Sequence, residues 1–179
     1  MHKHINLPYG DQVIDLVVPQ RNLLAVLSPH DTPTCADPAA EIQRAIESPI
    51  GTARLRDAAR GAQRFVIVAD DMTRQTPVQV IIPLLLDELN RAGVRDEQVT
   101  VLIALGTHRY MTDAEIITHF GAHVTQRVRV INNPWQDETQ LVDLGSTPNG
   151  TPVHVSRIAL ESDFLIGLGS IVPHHIPGY

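Results

Sequence analysis

Cysteine is almost absent. Cys35 is the single one in 179 residues, which excludes an internal disulfide framework and any thiolate-rich metal site. Aromatics are scarce at 4%, so a core must be built from Val, Ile, Leu and Ala. Positive charge is also short. Lys and Arg number 14 against 20 Asp and Glu, a formal net charge of −6 with no basic run, and nucleic acid is not expected as a partner. No apolar stretch reaches the roughly 18 residues of a membrane span. The start, Met1-His2-Lys3-His4-Ile5, carries no apolar segment of signal-peptide length, so a cytoplasmic protein is the expectation. No Gly-x-Gly-x-x-Gly and no Walker phosphate loop occur.

What remains is a chain with 43% hydrophobic and 19% charged residues, enough to bury a core in one domain spanning 1–179. Nine histidines are many for this length. The N-terminus reads as β: Gln12–Val18 and Leu23–Leu27 are expected as two short strands joined by the turn Pro19-Gln20-Arg21-Asn22. Asp37-Pro38 opens a helix with its apolar stripe on Ile42, Ala45 and Ile46. A shorter helix over 52–60 closes at Gly61.

From residue 64 the rhythm is strand, loop, helix. Continuous apolar runs at 65–69, 99–105 and 162–168 read as strands buried on both faces, and 127–131 as another strand. Helices follow from Thr76-Pro77 to Gly93 and from Thr112 to Gly121, the second opened by a Thr112/Glu115 capping box. Asn149-Gly150 marks a hairpin between short strands near 141–144 and 153–155. The fold class is therefore α/β: a mostly parallel, Rossmann-like sheet flanked by helices, with an N-terminal antiparallel β segment.

Ligands of open parallel sheets bind outside the carboxyl ends of the strands. Three loops leave such ends here. Asp70-Asp71-Met72-Thr73-Arg74-Gln75-Thr76-Pro77 places carboxylates, hydroxyls and a guanidinium before a helix; Arg74 suits a carboxylate or phosphate. A Thr76 helix cap with a local Asp–Arg ion pair would serve the same sequence. Gly106-Thr107-His108-Arg109-Tyr110-Met111-Thr112 offers a sharp turn and an imidazole, the natural proton acceptor near pH 7. His108 also fits a plain surface loop. The third, Gly169 to Tyr179, sets His174-His175 between prolines, or is simply a terminal tail. Adjacent histidines point apart in extended chain, so one acting alone is favoured over a shared metal. His2, His4, His30, His119, His123 and His154 have no such setting and are read as ordinary.

Taken together, the runs 70–77 and 104–112, with Pro173-His174 and Gly178-Tyr179, resemble the nickel-pincer lactate racemases and related 2-hydroxy-acid racemases and epimerases. The opening Leu7-Pro8-Tyr9-Gly10 resembles the family's start, and the order and spacing hold along the chain. The resemblance implies an isomerase that moves hydride from a 2-hydroxy acid to a nickel-pincer nucleotide. It implies His108 and His174 as alternate bases, Arg74 and Asp71 at the substrate, and Asp71, Thr73 and Gly178 at the cofactor. Chemically, hydride loss needs an electron sink that no side chain offers, and a base for the hydroxyl proton. The family's covalent lysine and nickel-ligating histidine belong to sequence after the glycine and aromatic at 178–179. The resemblance therefore implies an N-terminal domain, inactive alone, whose C-terminal domain is supplied in cis or in trans. Gln75 stands where the family has proline, and Pro177 where it has a small residue.

Two readings from other classes stand beside this one. One is a non-catalytic module capturing a small carboxylate or phosphate at Arg74. The other is a subunit of a split enzyme, self-associating through the apolar end near 171–179. A zinc hydrolase built on His108, His174 and Asp71 is weaker, since zinc sites want three firm protein ligands.

Overall fold

The computed structural model describes residues 1–28, 32–172 and 178. They form two compact units, 1–36 and 37–179. The first is an antiparallel hairpin of β1 (His2–Tyr9) and β2 (Gln12–Pro19), with Tyr9 facing Gln12 across the turn. Gly10 makes that turn at φ +58°, a conformation favourable only to glycine. The strand partner of 12–18 thus precedes it, and Leu23–Leu27 forms no strand. Leu23–Leu27 is a continuous apolar run and 2–9 is not, so apolar patterning favoured the wrong partner. Pro8 is accommodated within β1. A two-stranded ribbon always has a free edge, where a missing N–H costs nothing.

The second unit holds the sheet. Its strands are β3 (Phe65–Asp70), β4 (Val99–Ala104), β5 (Arg129–Asn132) and β8 (Phe164–Leu168), in the order β5-β4-β3-β8 and all parallel. A separate antiparallel pair, β6 (Leu141–Ser146) and β7 (Pro152–Ser156), turns at Asn149-Gly150 as expected. The helices are α1 (Pro38–Glu47), α2 (Leu55–Ala58), α3 (Val78–Arg91), α4 (Asp113–Phe120), α5 (Ala122–Thr125) and α6 (Arg157–Leu160). The Asp37 carboxylate accepts from the Ala40 N–H at 3.0 Å, and Pro38 takes the first helical position.

One sheet face carries Phe65, Ile67, Ala69, Val101 and Ile103, all buried against Ile82, Leu86 and Leu89 of α3 and Phe120 of α4. Alternation places these residues on a single face. Glu88 of α3 is fully buried, and Arg54 grips it with two bonds of 2.5 and 3.2 Å. Arg91 adds a third at 3.2 Å. The same Arg54 reaches Glu47 at the end of α1, so one guanidinium links α1, the start of α2 and α3.

Pro83 lies inside α3. It has no N–H to give the Gln79 carbonyl one turn back. His123 Nε2 donates to that carbonyl instead, at 3.0 Å. The Gln79 amide in turn donates to the Thr118 carbonyl at 2.7 Å, which joins α3 to α4. Gly121, at φ +86°, keeps the imidazole's space open: a Cβ there would stand 2.6 Å from a ring carbon of His123.

Candidate functional site

Because β4, β3 and β8 are adjacent and parallel, their carboxyl ends lie side by side. The three loops singled out in the sequence therefore leave one edge of the sheet, as open α/β sheets require of a ligand site.

Asp71 follows β3 directly and is 3% exposed. Its Oδ1 accepts from the Thr73 hydroxyl at 2.6 Å and the Thr73 N–H at 2.9 Å. Its Oδ2 meets His108 Nδ1 at 2.5 Å. Burial pushes the Asp71 carboxyl up, but the Thr73 and His108 hydrogen bonds outweigh it and hold the group below the ordinary carboxylate range. An ionised carboxylate only accepts, so Nδ1 carries the proton and donates. In the neutral ring that leaves Nε2 as the acceptor. The His108 side chain is 47% exposed, open on one side and anchored on the other.

The loop bearing His108 is braced from several directions. Gly106 turns the chain at φ +58°, and the His108 N–H closes on the Leu105 carbonyl at 2.9 Å. The Trp135 indole donates to the His108 carbonyl at 3.1 Å. Asn132, at the carboxyl end of β5, accepts from Met111 N–H at 3.0 Å and donates to its carbonyl at 2.8 Å. The Thr112/Glu115 capping box is present in full. Arg109 makes a forked pair with Glu115, at 2.9 and 2.6 Å. That guanidinium, then the Thr112 N–H, hold the Glu115 carboxyl down at about 2.

Arg74 differs from Arg109. It is half-buried, and its guanidinium has no hydrogen bond or ion pair among the described residues. It lines a cleft of about 650 Å³ with Met72, Gln75, Gln79, Thr118 and His119. No ion pair forms between Arg74 and Asp70 or Asp71, and Thr76 does not cap α3. The Thr76 hydroxyl donates instead to Asp70 Oδ2 at 2.6 Å and lies 2.6 Å from the Ser170 hydroxyl. Asp70 Oδ1 is buried with no partner among the described residues.

The sequence-derived positions fall as follows. Asp71, Thr73 and His108 share one hydrogen-bonded group, and Arg74 lies in the same loop as Asp71. Gly178 is exposed at φ +82°. His174, with Pro173 and Tyr179, lies outside the described residues. Among the described residues no three His, Cys, Asp or Glu side chains stand together to hold a metal. Sequence reasoning gave no role to Ser170 or Asn132 and read His119 as ordinary. His119 lines the Arg74 cleft and donates from Nε2 to the Asp70 carbonyl at 3.3 Å. The rule that ligand groups follow strand ends would have found Asn132 and Ser170; nothing local marks His119.

A family model described as the lactate racemase N-terminal domain matches residues 9–179. The chain belongs to that family. Lactate racemase from Thermoanaerobacterium thermosaccharolyticum is 30% identical over 178 residues, covering 98% of this chain and 42% of the relative. Lactate racemase from Lactiplantibacillus plantarum is 29% identical over the same shares. The chain thus spans 42% of the length of those relatives. The solved lactate racemase apoprotein from T. thermosaccharolyticum superposes with a TM-score of 0.79 at 30% identity, over 96% of this chain and 40% of that one. A Thermotoga maritima protein matches at TM-score 0.58 and 20% identity, covering 72% of this chain and 32% of its own, and shares the fold. The α/β class, the parallel sheet and the N-terminal strand pair match the apoprotein structure.

Proposed function

We propose that this domain supplies the substrate-carboxylate site and one proton-transferring base of a 2-hydroxy-acid racemase or epimerase. One observation carries the reading. Buried Asp71 fixes His108 at 2.5 Å on the carboxyl edge of the sheet, with Arg74, which has no ion pair among the described residues, three residues along the same loop. Arg74 would take the substrate carboxylate in a two-point grip, which fixes orientation while the α-carbon changes configuration. His108 Nε2 would accept the substrate hydroxyl proton as the α-hydrogen leaves as hydride. When hydride returns to the other face, the base facing the new hydroxyl position would give a proton, so no net proton is consumed. Asp71 holds the ring in the tautomer this needs and stabilises the imidazolium that forms. His174 is proposed as the base for the opposite enantiomer.

The fit to a nickel-pincer nucleotide is one of donor type. The edge offers a guanidinium and hydroxyls, and the positions the family resemblance gives to the cofactor are Asp71, Thr73 and Gly178. By the family resemblance, the histidine that would ligate nickel lies outside residues 1–179. When bound, such a group supplies the hydride acceptor that side chains lack. The lactate racemase relatives are more than twice as long as this chain, and a further domain, in cis or in trans, is proposed to complete the site. The chain alone is expected to be inactive. Incubation with D- or L-lactate and added cofactor, followed by chiral chromatography, tests this: unchanged enantiomer is expected, and racemisation would contradict it.

The alternative, capture of a small anion without turnover, draws on the same Arg74, which has no ion pair among the described residues. Calorimetry with lactate and inorganic phosphate separates the two. A preference for lactate supports the racemase reading, and a preference for phosphate supports the module.

A further inference from the structure

The hydroxyls at the site edge form a directed chain. Asp70 is a carboxylate acceptor, so the single Thr76 proton goes to Asp70 Oδ2, at 2.6 Å. The Ser170 hydroxyl, 2.6 Å from Thr76 Oγ1, must then donate to it. The order Ser170 to Thr76 to Asp70 is thereby fixed. Thr76 is 6% exposed, and its hydroxyl is held by these two partners. Asp70 and Thr76 are the two ends of the loop that carries Asp71, Thr73 and Arg74, and Ser170 lies just beyond the end of β8. One buried hydroxyl thus closes the loop on itself and ties it to a neighbouring strand end.

We infer that Thr76 is a positioning residue: its hydroxyl, donating to Asp70 and accepting from Ser170, holds the 70–76 loop so that Asp71 meets His108 and Arg74 stays in the cleft. This rests on the proposed function for its catalytic meaning, though the positioning itself is a property of the chain. The alternative role for Thr76, capping α3, is vacant, because that helix has no side-chain cap. A bound buried hydroxyl is worth keeping only where its loss strands a partner. Here that partner is Asp70, whose other oxygen already lacks a donor among the described residues.

The test uses the chain itself, with carbon-13 NMR titration of the Asp71 carboxyl as the readout. Asp71 is held low by Thr73 and His108, the groups that hydrogen-bond to it among the described residues. Thr76→Val keeps the shape and removes the hydroxyl; Thr76→Ser restores it; Ser170→Ala removes only the outer donor. The expected order is an unchanged Asp71 midpoint in Thr76→Ser, a small upward shift in Ser170→Ala, and a larger one in Thr76→Val. A loss confined to packing would lower the unfolding temperature and leave the Asp71 midpoint in place, which would overturn the inference. Should Thr76→Val not fold, Ser170→Ala decides alone: no shift there overturns it. Lactate calorimetry on the wild type is run separately. Absence of lactate binding with the Asp71 shifts intact would sink the proposed function and leave the positioning role standing.

Discussion

At the scale of single residues, the decisive contrast is between two arginines on neighbouring loops. Arg109 is paired with Glu115, whereas Arg74 makes no ion pair among the described residues, although Glu115 lines the same cleft. Arg74→Ala is therefore expected to abolish lactate binding, and Arg109→Ala to leave it largely intact, both read by calorimetry. Asp71 makes a second prediction. Its carboxyl sits below its ordinary value, so the folded state holds its proton less tightly than the unfolded chain does. The stability it contributes is present above the ordinary carboxylate range, near pH 4, and is lost as pH falls through the folded value. The difference in melting temperature between wild type and Asp71→Asn should accordingly shrink from pH 6 to pH 3. A constant difference would mean that Asp71 does not titrate with folding.

At the scale of elements, α3 is where local rules bend. Pro83 breaks one helical bond, and His123 from α5 replaces it. His123→Ala is expected to cost about 0.5–1 kcal/mol in urea unfolding. In a Pro83→Ala background, where residue 83 regains its N–H, the cost should nearly vanish. Equal costs in both backgrounds would break the link. Leu86→Ala, in the same helix but fully buried, should cost about 3 kcal/mol.

The elements also show what sequence can and cannot convey. Periodicity found β3, β4, β8, α1, α3 and α4, because those segments bury an unbroken face or carry explicit caps such as Asp37-Pro38 and Thr112/Glu115. It missed the pairing of β1, whose residues 2–9 hold no apolar run. It also missed α5 and α6, each four residues long and too short to show a period. At the site, strand-end loops pointed to Asp71, Arg74 and His108. The partners of Thr76 were not legible: Asp70 is a near neighbour, but Ser170 is 94 residues away, and only the sheet order brings it close.

At the scale of the whole molecule, the two units should behave differently. Residues of the hairpin are exposed or half-buried throughout, and an isolated two-stranded ribbon is marginal in water. The sheet and α3 hold the fully buried core. Amide exchange should thus be fast over 2–19 and slowest over β3, β4 and α3. Removing residues 1–36 should leave the 37–179 unit cooperatively folded; a molten product would show that the hairpin completes the core.

The most direct measurement is an NMR titration of the chain, with arginine and histidine side chains labelled, by L- and D-lactate. The expected result is saturable perturbation of the Arg74 guanidinium and the His108 ring, with Arg109 unmoved, and its loss in Arg74→Ala. Perturbation centred elsewhere, or none at Arg74 at saturating lactate, would contradict a substrate site at the carboxyl edge of this sheet.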